Sequence, residues 1–206
     1  MKNLSLTEEN NMRIVLASKF PRRKELLKIL FDEFEIIPDN KPENKDDSLD
    51  PEVYVVRLAE DKCINVAEGL KDSSLVIAAD TVVVKDGKIL GKPENEADAA
   101  YVLKMLSGSV HSVYTGVCVF DNEKKTMVSF FEKTDVHFYE LSNETIENYV
   151  KTGEPMDKAG SYGIQEKGAL FVEKVVGDYN NVVGLPIARL NMILKEKFGI
   201  SPNFNI

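Results

Sequence analysis

Asp80 closes a run of apolar residues, Leu75-Val76-Ile77-Ala78-Ala79, and a carboxylate so placed has two roles open to it. Apolar positions in unbroken succession fit a strand covered on both faces. Asp80 would then stand at the carboxyl end of a central strand, where ligands bind in open α/β sheets and a half-desolvated carboxylate can accept a proton. An aspartate after a strand is equally often a turn former bonding its own backbone. A second reactive group lies upstream, where Ser18, Arg22 and Arg23 follow the apolar Ile14-Val15-Leu16-Ala17 and Pro21 suits the first turn of a helix. A strand, a tight turn and a helix start offer free backbone N–H groups to an anion, and a hydroxyl with two guanidiniums would add donors matched to phosphate oxygens. Both arginines also suit the solvated face of an ordinary helix, where adjacent positions diverge by about 100°. Glu43 is a candidate second carboxylate in the polar stretch 38–50, which reads either as a plain connection or as a rim over a site. Lys62, taken alone, reads as a surface lysine.

The elements that must hold these groups follow from periodicity and punctuation. Residues 14–17 form a first buried strand, and Leu26, Leu27 and Leu30 give the apolar stripe of a helix begun by Pro21. A short strand at 34–37 precedes the polar stretch. Asp50-Pro51 supplies an N-cap and first-turn pair for a long helix to about Leu70, with Val55, Val56, Ala59, Cys63, Val66 and Ala67 inward. After the central strand and a turn at Gly87, Asn95 caps a helix through Leu106, and Gly108 supplies its left-handed stop. Two β-rich segments, 111–120 and 126–138, read as a long antiparallel hairpin. His111 and His137 have no partner at ligand spacing and are assigned structural or exposed positions. Ser142 caps a short helix to Lys151, and a glycine-punctuated polar loop, 154–165, follows as a candidate functional segment. Residues 168–176 suggest a strand pair, and 177–186 lead into a last amphipathic helix to about Lys197.

Composition narrows the function. At 206 residues the chain is read as one domain of two lobes sharing a sheet, with residues 1–12 a loose lead-in and 199–206 a tail. A net charge of -8 argues against a general nucleic-acid binder, so an anionic ligand must meet a local cluster of cations. Cys63 and Cys118 stand far apart and suggest neither a disulfide framework nor a zinc motif. The polar first residues lack the pattern of a signal peptide, and no apolar run approaches the roughly 20 residues of a membrane span. The expectation is a cytoplasmic protein with no membrane partner.

Taken together, the motifs resemble a known family. Leu16-Ala17-Ser18 with Pro21-Arg22-Arg23 and Glu25-Leu26-Leu27, Ala79-Asp80-Thr81 with Gly91-Lys92-Pro93, Leu106-Ser107-Gly108 with His111 and Thr115-Gly116, Asp157-Lys158-Ala159-Gly160 with Tyr162-Gly163-Ile164-Gln165, and Val183-Gly184-Leu185-Pro186 occur in family order. The set closely resembles the Maf (septum formation protein) family of nucleoside triphosphate pyrophosphatases, from about Ile14 to Phe198. The segment at Tyr162-Gly163-Ile164-Gln165 is similar to the branch acting on dTTP and UTP.

The resemblance implies an α/β fold: an elongated mixed β-sheet flanked by helices, in two lobes with a central cleft, similar to inosine triphosphate pyrophosphatases. It implies cleavage between the α and β phosphates, releasing monophosphate and pyrophosphate, with a divalent cation, Mg²⁺ or Mn²⁺. Asp80 matches the family's proton acceptor. Ser18, Arg22, Arg23, Lys62 and Lys92 match polar and cationic cleft positions, and Arg22, Thr81 and Gln165 match positions linked to substrate choice. Asp80 and Glu43 are the metal-ligand candidates, although the residues around Glu43 depart from the family pattern. Phe20 also departs, replacing a small polar residue before Pro21. A homodimer is plausible from the family. The rival readings are a 7-methyl-GTP or non-standard purine pyrophosphatase, and a non-catalytic nucleotide-binding regulator of cell division.

Overall fold

The computed structural model describes residues 12–43, 46 and 48–202. Its elements in chain order are β1 (Arg13–Leu16), α1 (Pro21–Leu27), β2 (Glu35–Ile36), α2 (Pro51–Ala67), β3 (Ser74–Lys85), β4 (Lys88–Leu90), α3 (Glu96–Leu106), β5 (Val110–Asp121), β6 (Thr126–Phe138), α4 (Asn143–Val150), β7 (Val172–Val176), α5 (Tyr179–Val183) and α6 (Ile187–Ile193). The strands form one mixed sheet in the order β2-β1-β3-β5-β6-β7, with β4 also against β3. β1 runs parallel to β2 and β3, while every pairing from β3 through β5 and β6 to β7 is antiparallel.

Caps and glycines place the helices as their residue types require. Pro21 opens α1 and Pro51 opens α2, where a missing N–H leaves nothing unsatisfied. The Asn95 side chain accepts from the backbone N–H of Asp98 and that of Ser142 from Thr145, so both predicted caps form. Asp50 occupies the cap position of α2 but its side chain makes no capping bond. The hairpin of β5 and β6 pairs in unbroken register from Val110 opposite His137 to Asp121 opposite Thr126.

Three expectations change. The central strand does not end at Asp80; β3 continues to Lys85, because Val82, Val83 and Val84 are buried and β5 pairs with it as far as Val84 opposite Ser112. Residues 168–176 give one strand, β7, preceded by a tight 3₁₀ turn at Lys167–Phe171, since β6 offers a single free edge to pair with. In α2 it is Tyr54 and Leu58 that join the buried face, and Val56 is only partly covered.

Strand alternation divides β3 between two cores. Val76 and Ala78 pack with Ala59, Cys63 and Val66 of α2, and Val82 and Val84 pack with Tyr54, Val55 and Leu58 of the same helix. Leu75, Ile77, Ala79 and Val83 face the larger core on the other side, built with residues of α1, α3, α4 and α6. Along one edge of β3, β1 covers Ser74 to Ile77 and β4 covers Val83 to Lys85, while β5 lies along the opposite edge. Among the described residues no strand pairs with that edge from Ala78 to Val82. Asp80 sits in the middle of this window.

Candidate active site

Asp80 and Thr81 are neighbours in the chain that point to opposite faces of the sheet. On the α2 side, Lys62 Nζ lies 2.5 Å from Asp80 Oδ1 and 2.9 Å from Glu43 Oε1. Lys62, which taken alone reads as a surface residue and by the family resemblance as a cleft cation, is a bridge between two carboxylates, with its side chain only 12% exposed. Three sequence-distant groups come together: one from the loop before α2, one from the helix and one from the strand. Both carboxylates with a single ammonium leave the trio net negative.

The opposite side of the window is closed by Arg23. Its Nε donates to the Gly184 carbonyl at 2.8 Å, Nη1 to the Ala79 carbonyl at 2.8 Å, and Nη2 to Thr81 Oγ1 at 3.0 Å. Ala79 belongs to the strandless edge of β3, so the guanidinium supplies there what a neighbouring strand would otherwise supply. Arg23 is buried, and burial lowers its pKa from the ordinary arginine value against the pull of Asp80 and Glu43. Ser18 is buried beneath it, its Oγ accepting from Phe20 N–H at 3.3 Å and lying 3.5 Å from Arg23 Nη1. Thr81 Oγ1 is also bonded to Thr115 Oγ1 at 2.9 Å. Ser18, Arg23 and Thr81 thus form a framework whose polar groups bond mainly to one another and to the backbone.

The groups that face open space are others. A cleft of ≈ 350 Å³ opens over the window, within the range of small-molecule sites. Arg22, Lys92, Glu43, Asp80, Asp157 and Lys158 contribute its polar lining, and Tyr54, Leu58, Ile89, Tyr162, Ile164 and Val182 contribute apolar surface. Arg22 and Lys92 make no hydrogen bond or ion pair among the described residues. Arg22 faces the cleft while Arg23 turns inward, as adjacent helical positions must diverge. Gln165 is exposed on a turn and is not part of the lining, although Ile164 before it is.

The glycine-punctuated loop forms one wall, held by Asp157, Lys158 and Tyr162 of the motif already noted and by Tyr149, Glu154 and Glu166, which the sequence did not single out. Lys158 Nζ donates to the Glu154 carbonyl at 2.9 Å and to Asp157 Oδ1 at 2.8 Å, and Glu166 lies at 3.4 Å. The hydrogen bond from Lys158 holds Asp157 below the usual carboxylate range. The Glu154 carboxylate accepts from Tyr149 OH at 2.8 Å and from the backbone N–H groups of Lys167 and Gly168. Beneath the loop, His111 Nε2 and Tyr162 OH are 2.8 Å apart, and Phe138 meets both rings edge-on. His111 is structural. Phe20, noted above as a departure from the family, lines the cleft with Lys92 Nζ 4.8 Å and Arg23 Cζ 5.2 Å from its ring centroid.

The cleft over this window in a mixed α/β sheet thus brings three carboxylates, Glu43, Asp80 and Asp157, together with Arg22 and Lys92, two cations unpaired among the described residues. Known proteins narrow the class further. The model for the Maf-like protein family matches residues 13–197, and the chain belongs to this family. It is 52% identical over 187 residues to a dTTP/UTP pyrophosphatase of Carboxydothermus hydrogenoformans, covering 90% of this chain and 98% of that one. A dTTP/UTP pyrophosphatase of Bacillus pumilus is 49% identical over 191 residues, covering 92% and 98%. In fold the chain is similar to a HAM1 protein from Coxiella burnetii (TM-score 0.52, 18% identity, 90% of this chain and 99% of that one). The Ham1 protein of Staphylococcus aureus gives a TM-score of 0.51 at 13% identity, over 89% and 98%. These two likenesses bear out the expected fold class and speak to the fold alone.

Proposed function

We propose that this protein hydrolyses dTTP and UTP to the nucleoside monophosphate and pyrophosphate. The observation that carries the reading is the Asp80–Lys62–Glu43 array in the window of β3, facing the free cations Arg22 and Lys92. It is supported by the names of relatives about half identical over nine-tenths of the chain. A triphosphate carries about four negative charges, and Arg22 and Lys92 offer it charge-assisted donors in a protein that is otherwise acidic. Water attacks the α-phosphorus and gives its proton to Asp80; the α–β bridging bond breaks, and its electron pair leaves on pyrophosphate. Lys62 fixes the Asp80 carboxylate and keeps positive charge beside the reacting phosphorus. Ser18, Arg23 and Thr81 hold the window in shape. Gln165, exposed on the turn just after the cleft-lining Ile164, both donates and accepts and would reach in to read the pyrimidine edge.

Among the described residues no three His, Cys, Asp or Glu side chains cluster as a closed metal cage. Two carboxylates facing a phosphate-sized space do suit Mg²⁺ or Mn²⁺, which take oxygen donors and keep water and phosphate as further ligands. Asp80 and Glu43 would hold the ion. Bound there, it would supply charge against the phosphates and offset the excess negative charge of the trio. The chain acts as a single domain whose two lobes meet at the window. All the residues invoked come from one chain, so a homodimer would leave this chemistry complete in each copy. No helix among the described residues is long and apolar enough to cross a membrane, and a nucleotide substrate supports a cytoplasmic location.

The test is product analysis with purified protein and Mg²⁺ or Mn²⁺ across dTTP, UTP, CTP, GTP, ITP and 7-methyl-GTP. Monophosphate and pyrophosphate from dTTP and UTP are expected, with little from purines. Orthophosphate as the product would overturn the reaction, and preference for 7-methyl-GTP or ITP would overturn the substrate.

A further inference from the structure

Lys92 is unlike the other lysines around the window. Lys62 is bonded to two carboxylates and Lys158 to Asp157 and a carbonyl, whereas among the described residues the Lys92 ammonium makes no hydrogen bond or ion pair and lies 4.8 Å from the centre of the Phe20 ring. Its backbone is anchored next door, where the Gly91 carbonyl accepts from Gly160 N–H at 3.1 Å. The side chain itself is exposed and carries four rotatable bonds. Three carboxylates, Glu43, Asp80 and Asp157, line the same cleft and compete for any loose ammonium. A carboxylate that captured Lys92 would cancel its charge and occupy its N–H donors. An aromatic face attracts the ammonium through the ring quadrupole and takes neither.

We infer that Phe20 is a positioning residue for Lys92, holding its ammonium at the cleft mouth still charged and still able to donate to the phosphates of the substrate. The ring can do this because it is itself fixed. Phe20 is the N-cap residue of α1, its backbone N–H is bonded to Ser18 Oγ, and the buried Arg23 guanidinium lies 5.2 Å from the same ring. The inference rests on the phosphate-binding reading of the cleft and goes beyond it, since nothing about the position before Pro21 requires an aromatic residue for folding a helix start.

The probe is inorganic tripolyphosphate, with binding followed by calorimetry at fixed ionic strength, alongside turnover of dTTP by the same preparations. Phe20→Leu should weaken tripolyphosphate binding about three- to fivefold, the range of an exposed cation–π contact. Phe20→Tyr should bind as the unsubstituted protein does. In a Lys92→Ala background Phe20→Leu should change binding no further, which a residue acting only through packing or through Arg23 would not produce. Equal weakening in both backgrounds, or none with Lys92 present, overturns the inference. Pentafluorophenylalanine at position 20 keeps the ring's shape and removes its negative face, so unchanged binding by that protein also overturns it, even if the leucine variant fails to fold. A protein that binds tripolyphosphate with this coupling yet releases no pyrophosphate from dTTP would sink the pyrophosphatase reading and leave the role of Phe20 standing.

Discussion

At the scale of a single residue the sharpest test falls on Asp80, the proton acceptor proposed above. Its side chain is 13% exposed, one oxygen is bonded to Lys62, and the strand edge beside it is open. Asp80→Asn keeps size and shape but removes the capacity to accept a proton. It should lower kcat on dTTP by about 10²- to 10⁴-fold, the contribution of a positioned general base, while the melting temperature stays close to that of the unsubstituted protein. A variant that keeps a tenth or more of the activity would show that another group takes the proton. Asp80 was legible in the sequence because an apolar run ending on a carboxylate is a local signal. Arg23 was not: the sequence offers it as a twin of Arg22, and only the Gly184, Ala79 and Thr81 acceptors, all distant from Arg23 in the chain, reveal that it is locked into the framework.

Elements explain why Lys62 arrives where it does. The register sets Gly116 of β5 directly opposite Asp80, and α2 crosses the sheet at that point with its backbone against the glycine. A Cβ at position 116 would run into the Val55 carbonyl and stand 2.6 Å from Val56 N, both backbone atoms that no rotamer change can clear. Gly116→Ala should therefore push α2 outward, separating Lys62 from Asp80. The expected result is a loss of about 1–3 kcal/mol in urea unfolding, the usual overpacking cost, together with a fall in kcat/KM. Loss of stability with unchanged kcat/KM would mean the helix tilts without moving Lys62. At this scale the hairpin and the caps at Asn95 and Ser142 were readable, since strand runs and cap residues are local patterns. The window in β3 was not, because it is made by where β1 stops and β4 starts along a third strand, and pairing register is absent from any one segment. Glu43 illustrates the same limit. Its stretch departs from the expected pattern, yet the loop brings it within 2.9 Å of Lys62.

Over the whole molecule, the central hairpin and the cleft-wall loop are joined through a buried polar contact that titrates. His111 from β5 meets Tyr162 from the cleft-wall loop with Phe138 of β6 packed against both, so the fold encloses an imidazole that cannot easily take a proton. Burial first, then the nearby charge of Lys85 and to a lesser degree that of His137, lower its pKa to about 4 against a smaller opposing pull from Asp135. The unfolded chain protonates the same histidine near its ordinary value of about 6.5. As pH falls below that value the unfolded state gains a proton that the folded state refuses, so stability is lost between about 6.5 and 4 and no further loss comes from this group below 4. Over pH 7 to 4.5 the shift corresponds to about 2–3 kcal/mol. His111→Phe cannot titrate, and although it forfeits the bond to Tyr162 OH at every pH, its unfolding free energy should fall by about 2–3 kcal/mol less than that of the unsubstituted protein across the same interval. Urea titrations of both proteins at the two pH values measure the difference directly. Parallel losses in the two would place the acid sensitivity elsewhere, with the lowered carboxylate of Asp157 as the next group to examine, since its ion pair with Lys158 holds the same loop and is lost as pH falls through the carboxylate's own range.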